Sequence, residues 1–115
     1  MNRLRVLTLN IWNRCGPWEE RLALIRAGIR DLAPDVVGLQ EIIETGGRSQ
    51  ADDIAEGLGY HVAFGNAHDH GGGVRFGNAV LSRWPITGTR VADRATMTSA
   101  AEASAATSVN WPSPR

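Results

Sequence analysis

Two nearly unbroken apolar runs, with an amphipathic helical pattern between them, constrain this chain more than any other feature. The first run, Arg5-Val6-Leu7-Thr8-Leu9-Asn10-Ile11-Trp12, is rich in β-branched and aliphatic residues and barely alternates. A strand with one wet face alternates between apolar and polar, whereas a strand covered on both faces does not. The second run, Asp35-Val36-Val37-Gly38-Leu39-Gln40-Glu41-Ile42, has the same character. Between them Trp18, Leu22, Ile25, Ile29 and Leu32 recur at three- and four-residue intervals and form one apolar stripe. Pro17 stands at the helix entrance, Glu19 and Glu20 suit its first turn, and Pro34 ends it. Gly28 costs about 1 kcal/mol relative to alanine without breaking the stripe. A strand, a helix and a strand in such quick succession make a βαβ unit, which implies parallel neighbours joined by a right-handed crossover.

Further along, Gly46-Gly47 interrupts the chain. Ser49 with Asp52 three residues later matches a helix-capping pattern, and Ile54, Ala55 and Leu58 supply a short apolar face, so a helix is expected near 50–58 with Gly59 as its stop. Tyr60 to Phe64 alternates weakly and reads as a strand. Gly65 to Gly77 is rich in Gly and His, lacks periodicity and reads as a loop. Asn78-Ala79-Val80-Leu81-Ser82 is another strand, closed by Trp84-Pro85. After Ile86 the character changes: Ala, Ser and Thr fill twelve of the fourteen positions from Ala95 to Ser108, and neither period survives. The expected organisation is therefore a folded unit over 1–87 followed by a low-complexity, disordered tail over 88–115.

Composition narrows the function classes. The 115 residues suffice for one domain and not for two. Twelve arginines, with no lysine, balance twelve acidic residues, so there is no bulk electrostatic footprint for nucleic acid or an anionic membrane. The single cysteine, Cys15, excludes an internal disulfide framework and a cysteine-only zinc cluster. No apolar stretch approaches the roughly 20 residues needed to span a bilayer. The N-terminus, with few apolar residues before Asn10, does not resemble a secretory signal, so a cytoplasmic location is expected.

Two polar residues end strands that are otherwise apolar: Asn10 on the first and Glu41 on the second. Ligand sites in α/β proteins gather at the carboxyl ends of parallel strands, and these strands are expected to be neighbours. A carboxylate with an amide suits a hard cation such as Mg²⁺, which takes few protein ligands and keeps several waters. The same residues could instead cap loops or bind backbone amides, and pattern alone leaves both readings open. His68-Asp69-His70 offers two imidazoles and a carboxylate to a transition metal, but in a glycine-rich loop it reads as solvated. Gly71-Gly72-Gly73 lacks the helix and Lys-Ser/Thr of a nucleotide phosphate loop. Arg83 reads as a solvated strand end, Cys15 as incidental, Trp12, Trp18 and Trp84 as core or rim packing, and Trp111 has no assigned role.

Three blocks add a resemblance. Thr8-Leu9-Asn10-Ile11-Trp12-Asn13, then Pro34-Asp35-Val36-Val37-Gly38-Leu39-Gln40-Glu41-Ile42, then Gly77-Asn78-Ala79-Val80-Leu81-Ser82-Arg83-Trp84-Pro85-Ile86 occur in this order. Together they resemble the opening of the endonuclease/exonuclease/phosphatase superfamily, the deoxyribonuclease-I-like hydrolases, over residues 4 to about 87. The resemblance implies an α/β fold, the first part of a four-layer α/β sandwich: one mixed sheet with helices on its outer face, incomplete. It implies that Glu41 is a divalent-metal ligand, that Asn10 lies in the same metal and catalytic site, and that Mg²⁺ (or Mn²⁺) is the cofactor. The implied reaction is hydrolysis of a phosphoester by an activated water.

The family's Thr-His-Leu, Gly-Asp-x-Asn and Ser-Asp-His segments do not occur among these residues. His61, His68 and His70 all lie upstream of where its catalytic histidines belong. The expectation is thus a truncated phosphodiesterase, inactive alone, acting in its whole form on a phosphoester substrate of unspecified class: nucleic acid, phosphoinositide, sphingomyelin head group or another diester. The alternative is a non-catalytic remnant, or a half-domain that associates with a complementing C-terminal fragment.

Overall fold

A computed structural model of the chain describes residues 3–93 and 105–111. Its elements are β1 (Val6–Asn10), α1 (Trp18–Leu32), β2 (Val36–Thr45), β3 (Arg48–Ser49), α2 (Gln50–Ala55), β4 (His61–Gly71), β5 (Val74–Ser82), β6 (Gly88–Asp93) and β7 (Ala105–Asn110). The main sheet runs β1-β2-β5-β4, with β3 attached to β2. β1 and β2 are parallel, with Val6 opposite Val36 and Asn10 opposite Gln40, as the βαβ pattern requires. β5 pairs antiparallel with both β2 and β4, so the sheet is mixed. No helix among the described residues is long and apolar enough to cross a membrane.

Both helices cover the same face. Val37, Leu39, Ala79 and Leu81 are buried against Trp18 and Ile29 of α1 and Ile54 of α2, with Leu7, Leu9, Val62 and Phe64 packed around them. α1 ends where Ala33 turns left-handed and returns its N–H to the Ile29 carbonyl. The Ser49–Asp52 capping box is present at the start of α2. That helix stops at Ala55, earlier than the apolar face to Leu58 suggested, because Arg26 of α1 donates Nη1 to the carbonyls of Asp53, Ile54 and Glu56 and closes its C-terminus there.

Two expectations are corrected. Gly65–Gly77 is not a loop: β4 and β5 continue through it as a hairpin arm that turns at Gly72-Gly73, both with positive φ. Glycine supplies that turn freely, and two register slips, between Asn66 and His68 and between Asp69 and Gly71, erase the alternation that would have marked the strand. Nor is the stretch from Gly88 a disordered tail throughout. β6 and β7 pair antiparallel from Gly88–Asn110 to Asp93–Ala105, while 94–104 and 112–115 lie outside the described residues.

This second hairpin packs over β4 and β5 on the face away from the helices. A Cβ on Gly65 would collide with Thr107 and Val91, so glycine is what lets the hairpin seat. Trp111 fastens the hairpin by donating its indole N–H to Ser82 Oγ at 2.9 Å. The hairpin leaves the β1–β2 half of that face open, where Val6 is 65% exposed.

Candidate functional site

The site lies where β1 ends beside β2; Glu41 does not end its strand as the sequence suggested, because β2 runs on to Thr45. β2 does not run regularly past this point: its pairing with β5 slips between Leu39 and Ile42, and Glu41 inside the slip has φ 58°. A bulge bends the strand and re-aims a side chain. A non-glycine residue at positive φ costs of order 1–3 kcal/mol and persists only where its surroundings fix it. Here the bulge lets Ile42 and Ile43 stay buried while the Glu41 carboxylate stands exposed beside the end of β1.

Three groups grip that bulge. Asn10 donates its side-chain amide to Glu41 Oε2. Asn13 donates Nδ2 to Glu41 Oε1 at 3.4 Å, and its backbone N–H to the Glu41 carbonyl at 3.0 Å. Ile11 donates its N–H to the Gln40 carbonyl at 3.0 Å. The orientation of the Asn10 amide follows from its other contact, because Oδ1 accepts the Trp12 N–H at 2.9 Å. The NH₂, not the oxygen, therefore faces the carboxylate.

The turn carrying Asn13 is itself left-handed, with φ 60° at Trp12 and 42° at Asn13. Two side chains hold it. Arg21 of α1 lies between the rings of Trp12 and Trp18, 5.6 and 5.4 Å from their centres, and donates to the carbonyls of Ile11 and Asn13, each at 2.9 Å. Gln50, fully buried, donates Nε2 to the Asn13 carbonyl at 2.8 Å and accepts the Ile43 N–H at 2.9 Å. One amide thus ties the turn after β1 to the strand after the bulge.

Asn10 and Glu41, singled out from sequence, are brought together. Asn13, Arg21 and Gln50 were not anticipated. Asn13 lay within a matching block, but nothing in the sequence marks Arg21 or Gln50, whose roles depend on packing between distant segments. Cys15 is exposed and donates its thiol to Asn13 Oδ1 at 3.1 Å. Arg83 donates to the Pro34 carbonyl and stacks on Tyr60, a structural role. No group of three His, Cys, Asp or Glu side chains gathers among the described residues. One exposed carboxylate flanked by amides fits a hard, mostly hydrated dication, which takes one or two carboxylates and keeps its water, and does not fit a soft metal wanting thiolates or imidazoles.

Comparison with known proteins agrees with this architecture. A family model, Endonuclease/Exonuclease/phosphatase family, matches residues 7–110. An endonuclease/exonuclease/phosphatase family protein from Leptotrichia buccalis C-1013-b superposes with a TM-score of 0.71 at 17% identity, over 95% of this chain and 50% of its own length. An endonuclease/exonuclease/phosphatase from Beutenbergia cavernae DSM 12333 superposes with a TM-score of 0.61 at 34% identity, over 78% of this chain and 28% of its own. The chain thus spans half the length of the first structure and less of the second. No curated protein matches the chain. With the mixed sheet, the outer helices and nearly all of the sequence accounted for by one family model, the chain belongs to the endonuclease/exonuclease/phosphatase family.

Proposed function

We propose that Asn10 and Glu41 form the metal-holding corner of a metal-dependent phosphoester hydrolase centre, with Mg²⁺ or Mn²⁺ as the cation and a phosphodiester as substrate. The observation that carries this is Glu41: a carboxylate exposed at a bulge of β2 beside the end of β1, on a strained backbone that three hydrogen-bonding residues keep in place. Members of this family generally use divalent metal ions. When bound, such an ion polarises a non-bridging phosphate oxygen and offsets the charge that develops there.

Glu41 would hold the cation. Asn10 fixes the carboxylate and keeps an amide N–H at the mouth of the site, where a phosphate oxygen can accept it. None of Asn10, Asn13 and Glu41 suits the remaining role, accepting the proton of the attacking water. A positioned general acid–base group contributes about 10²–10⁴-fold, so the 115-residue chain alone is read as catalytically silent.

A second reading, a half-domain completed by a partner fragment, is favoured by one observation. An open groove lined by Leu7, Leu9, Leu24, Ile25 and Leu32 runs between β1 and α1, and Leu24 is 73% exposed. Mn²⁺ binding followed by electron paramagnetic resonance tests the first reading: the chain should bind, and Glu41→Gln should not. Binding that survives Glu41→Gln overturns it. Hydrolysis of bis-p-nitrophenyl phosphate in Mg²⁺ by the chain, lost in Glu41→Ala, would overturn the silence.

A further inference from the structure

His68 and His70 lie on β4, in the arm that pairs with β5 rather than in a loop. The register slip between Asp69 and Gly71 leaves His70 as an extra, unpaired residue, and such bulges re-aim side chains. The result is two imidazoles with ring centres 5.0 Å apart and planes at 83°.

That separation has a chemical meaning. Two metal–nitrogen bonds of about 2.0–2.1 Å, meeting at tetrahedral or square-planar angles, set the centres of two imidazoles roughly 4.5–5.2 Å apart. The rings already stand at chelating distance, and aiming their nitrogens needs only rotation about the soft terminal torsion of each side chain. Phe76 steadies one arm, its ring 4.3 Å from that of His70 and nearly perpendicular to it. Both histidines are exposed, and neither imidazole is engaged in a hydrogen bond or ion pair with a described residue. Asp69 turns away and accepts from Asn66 Nδ2 at 3.0 Å, so the donor set is two imidazoles, with water to fill the remaining positions.

We infer that His68 and His70 form a second metal site, a bidentate imidazole chelate for a borderline transition-metal dication: Cu²⁺, Ni²⁺ or Zn²⁺. Imidazole suits these ions, whereas carboxylate and water suit Mg²⁺ and Mn²⁺. The chelate and the Glu41 corner, two strands apart in the order β2-β5-β4, therefore select different classes of metal, and the inference does not depend on the hydrolase reading.

The test uses the untagged 115-residue chain on a Ni²⁺-charged resin at neutral pH. The chain should be retained and released by imidazole, while His68→Ala and His70→Ala should each run through. His61→Ala, on the same strand, and Asp69→Ala should be retained like the parent. In a Cu²⁺ titration either histidine substitution should weaken binding by more than about tenfold, and Glu41→Gln should leave it unchanged. A parent chain that runs through the resin, or His68→Ala and His70→Ala variants that bind as the parent does, overturns the site.

Discussion

Asn10 donates its side-chain amide to the carboxylate of Glu41 across the seam between two parallel strands, and this single contact joins residues 31 apart in sequence. The contact depends on the left-handed backbone of Glu41, because an extended residue there would carry its side chain along the regular pleat. Strain and function are thus coupled at one position.

That coupling predicts opposite responses to one substitution. Glu41→Gly removes the cost of a side chain at φ 58° and should raise the stability of the chain by up to about 1 kcal/mol in urea unfolding. The same variant should lose Mn²⁺ binding. A variant that binds as the parent does, or is markedly less stable, contradicts the account.

Gln50 is predicted to matter more than its silence in the sequence suggests. Gln50→Leu keeps the volume but orphans the Ile43 N–H and leaves the Asn13 carbonyl to Arg21 alone. A buried unsatisfied group costs about 1–3 kcal/mol, and a loss of that size is expected by chemical denaturation. Mn²⁺ affinity should fall as well, because the turn carrying Asn13 loses its anchor to β2.

Gly77 admits nothing larger. A Cβ there would run into the Gly65 carbonyl of the paired strand, and relief requires β4 and β5 to part. Gly77→Ala should destabilise by about 3 kcal/mol, at the upper end of overpacking costs. Gly28→Ala, where a Cβ meets no atom within 4 Å, should stabilise α1 by roughly 1 kcal/mol. The two variants, compared by thermal unfolding, separate steric exclusion from backbone freedom.

Tyr60 gives the pH response a source at the alkaline end. Burial pushes the Tyr60 hydroxyl above its ordinary value, against the pull of nearby Arg83, and the hydroxyl donates to the Pro34 carbonyl at 2.6 Å. The folded state therefore holds this proton more tightly than the unfolded state. Its contribution is complete below the unfolded pKa of about 10 and is lost as pH rises through the higher folded value. Tyr60→Phe should cost about 1 kcal/mol at neutral pH and flatten the alkaline decline. An unchanged alkaline profile in this variant would assign the decline elsewhere.

The exposed apolar side chains along β1 and α1 predict self-association. Leu24 is 73% exposed and Leu32 54%, beside the groove they share with Leu7 and Leu9. A continuous apolar surface of this kind favours association. Leu24→Lys should shift the chain towards monomer in light scattering after size exclusion, without lowering its unfolding midpoint.

Much of this was legible in the residues. The parallel β1–β2 pair, the α1 stripe, the Ser49 cap and the juxtaposition of Asn10 with Glu41 all follow from periodicity and from where polar residues interrupt apolar runs. The distal half of the β4–β5 arm was not legible, because bulges at Ala67 and His70 break the two-residue period that signals a strand. β6 and β7 were hidden for another reason. Gly-Thr-Arg-Val-Ala-Asp and Ala-Ala-Thr-Ser-Val-Asn each offer a single large apolar residue and so no apolar pattern, and their place depends on Gly65 leaving room beneath Thr107. Gln50 and Arg21 escaped because a buried hydrogen bond between distant segments leaves no mark on local composition.

The turn at Gly72-Gly73 bears on the order in which the molecule assembles. A two-residue hairpin closes in about 1–10 μs, so β4 and β5 can pair before any long-range contact exists. Their free edge then offers a template to β2, and β1, paired with β2 alone, stays at the edge of the finished sheet. The seam that brings Asn10 to Glu41 therefore lies at an edge strand, and in native-state hydrogen exchange its amides should be among the first of the sheet to open.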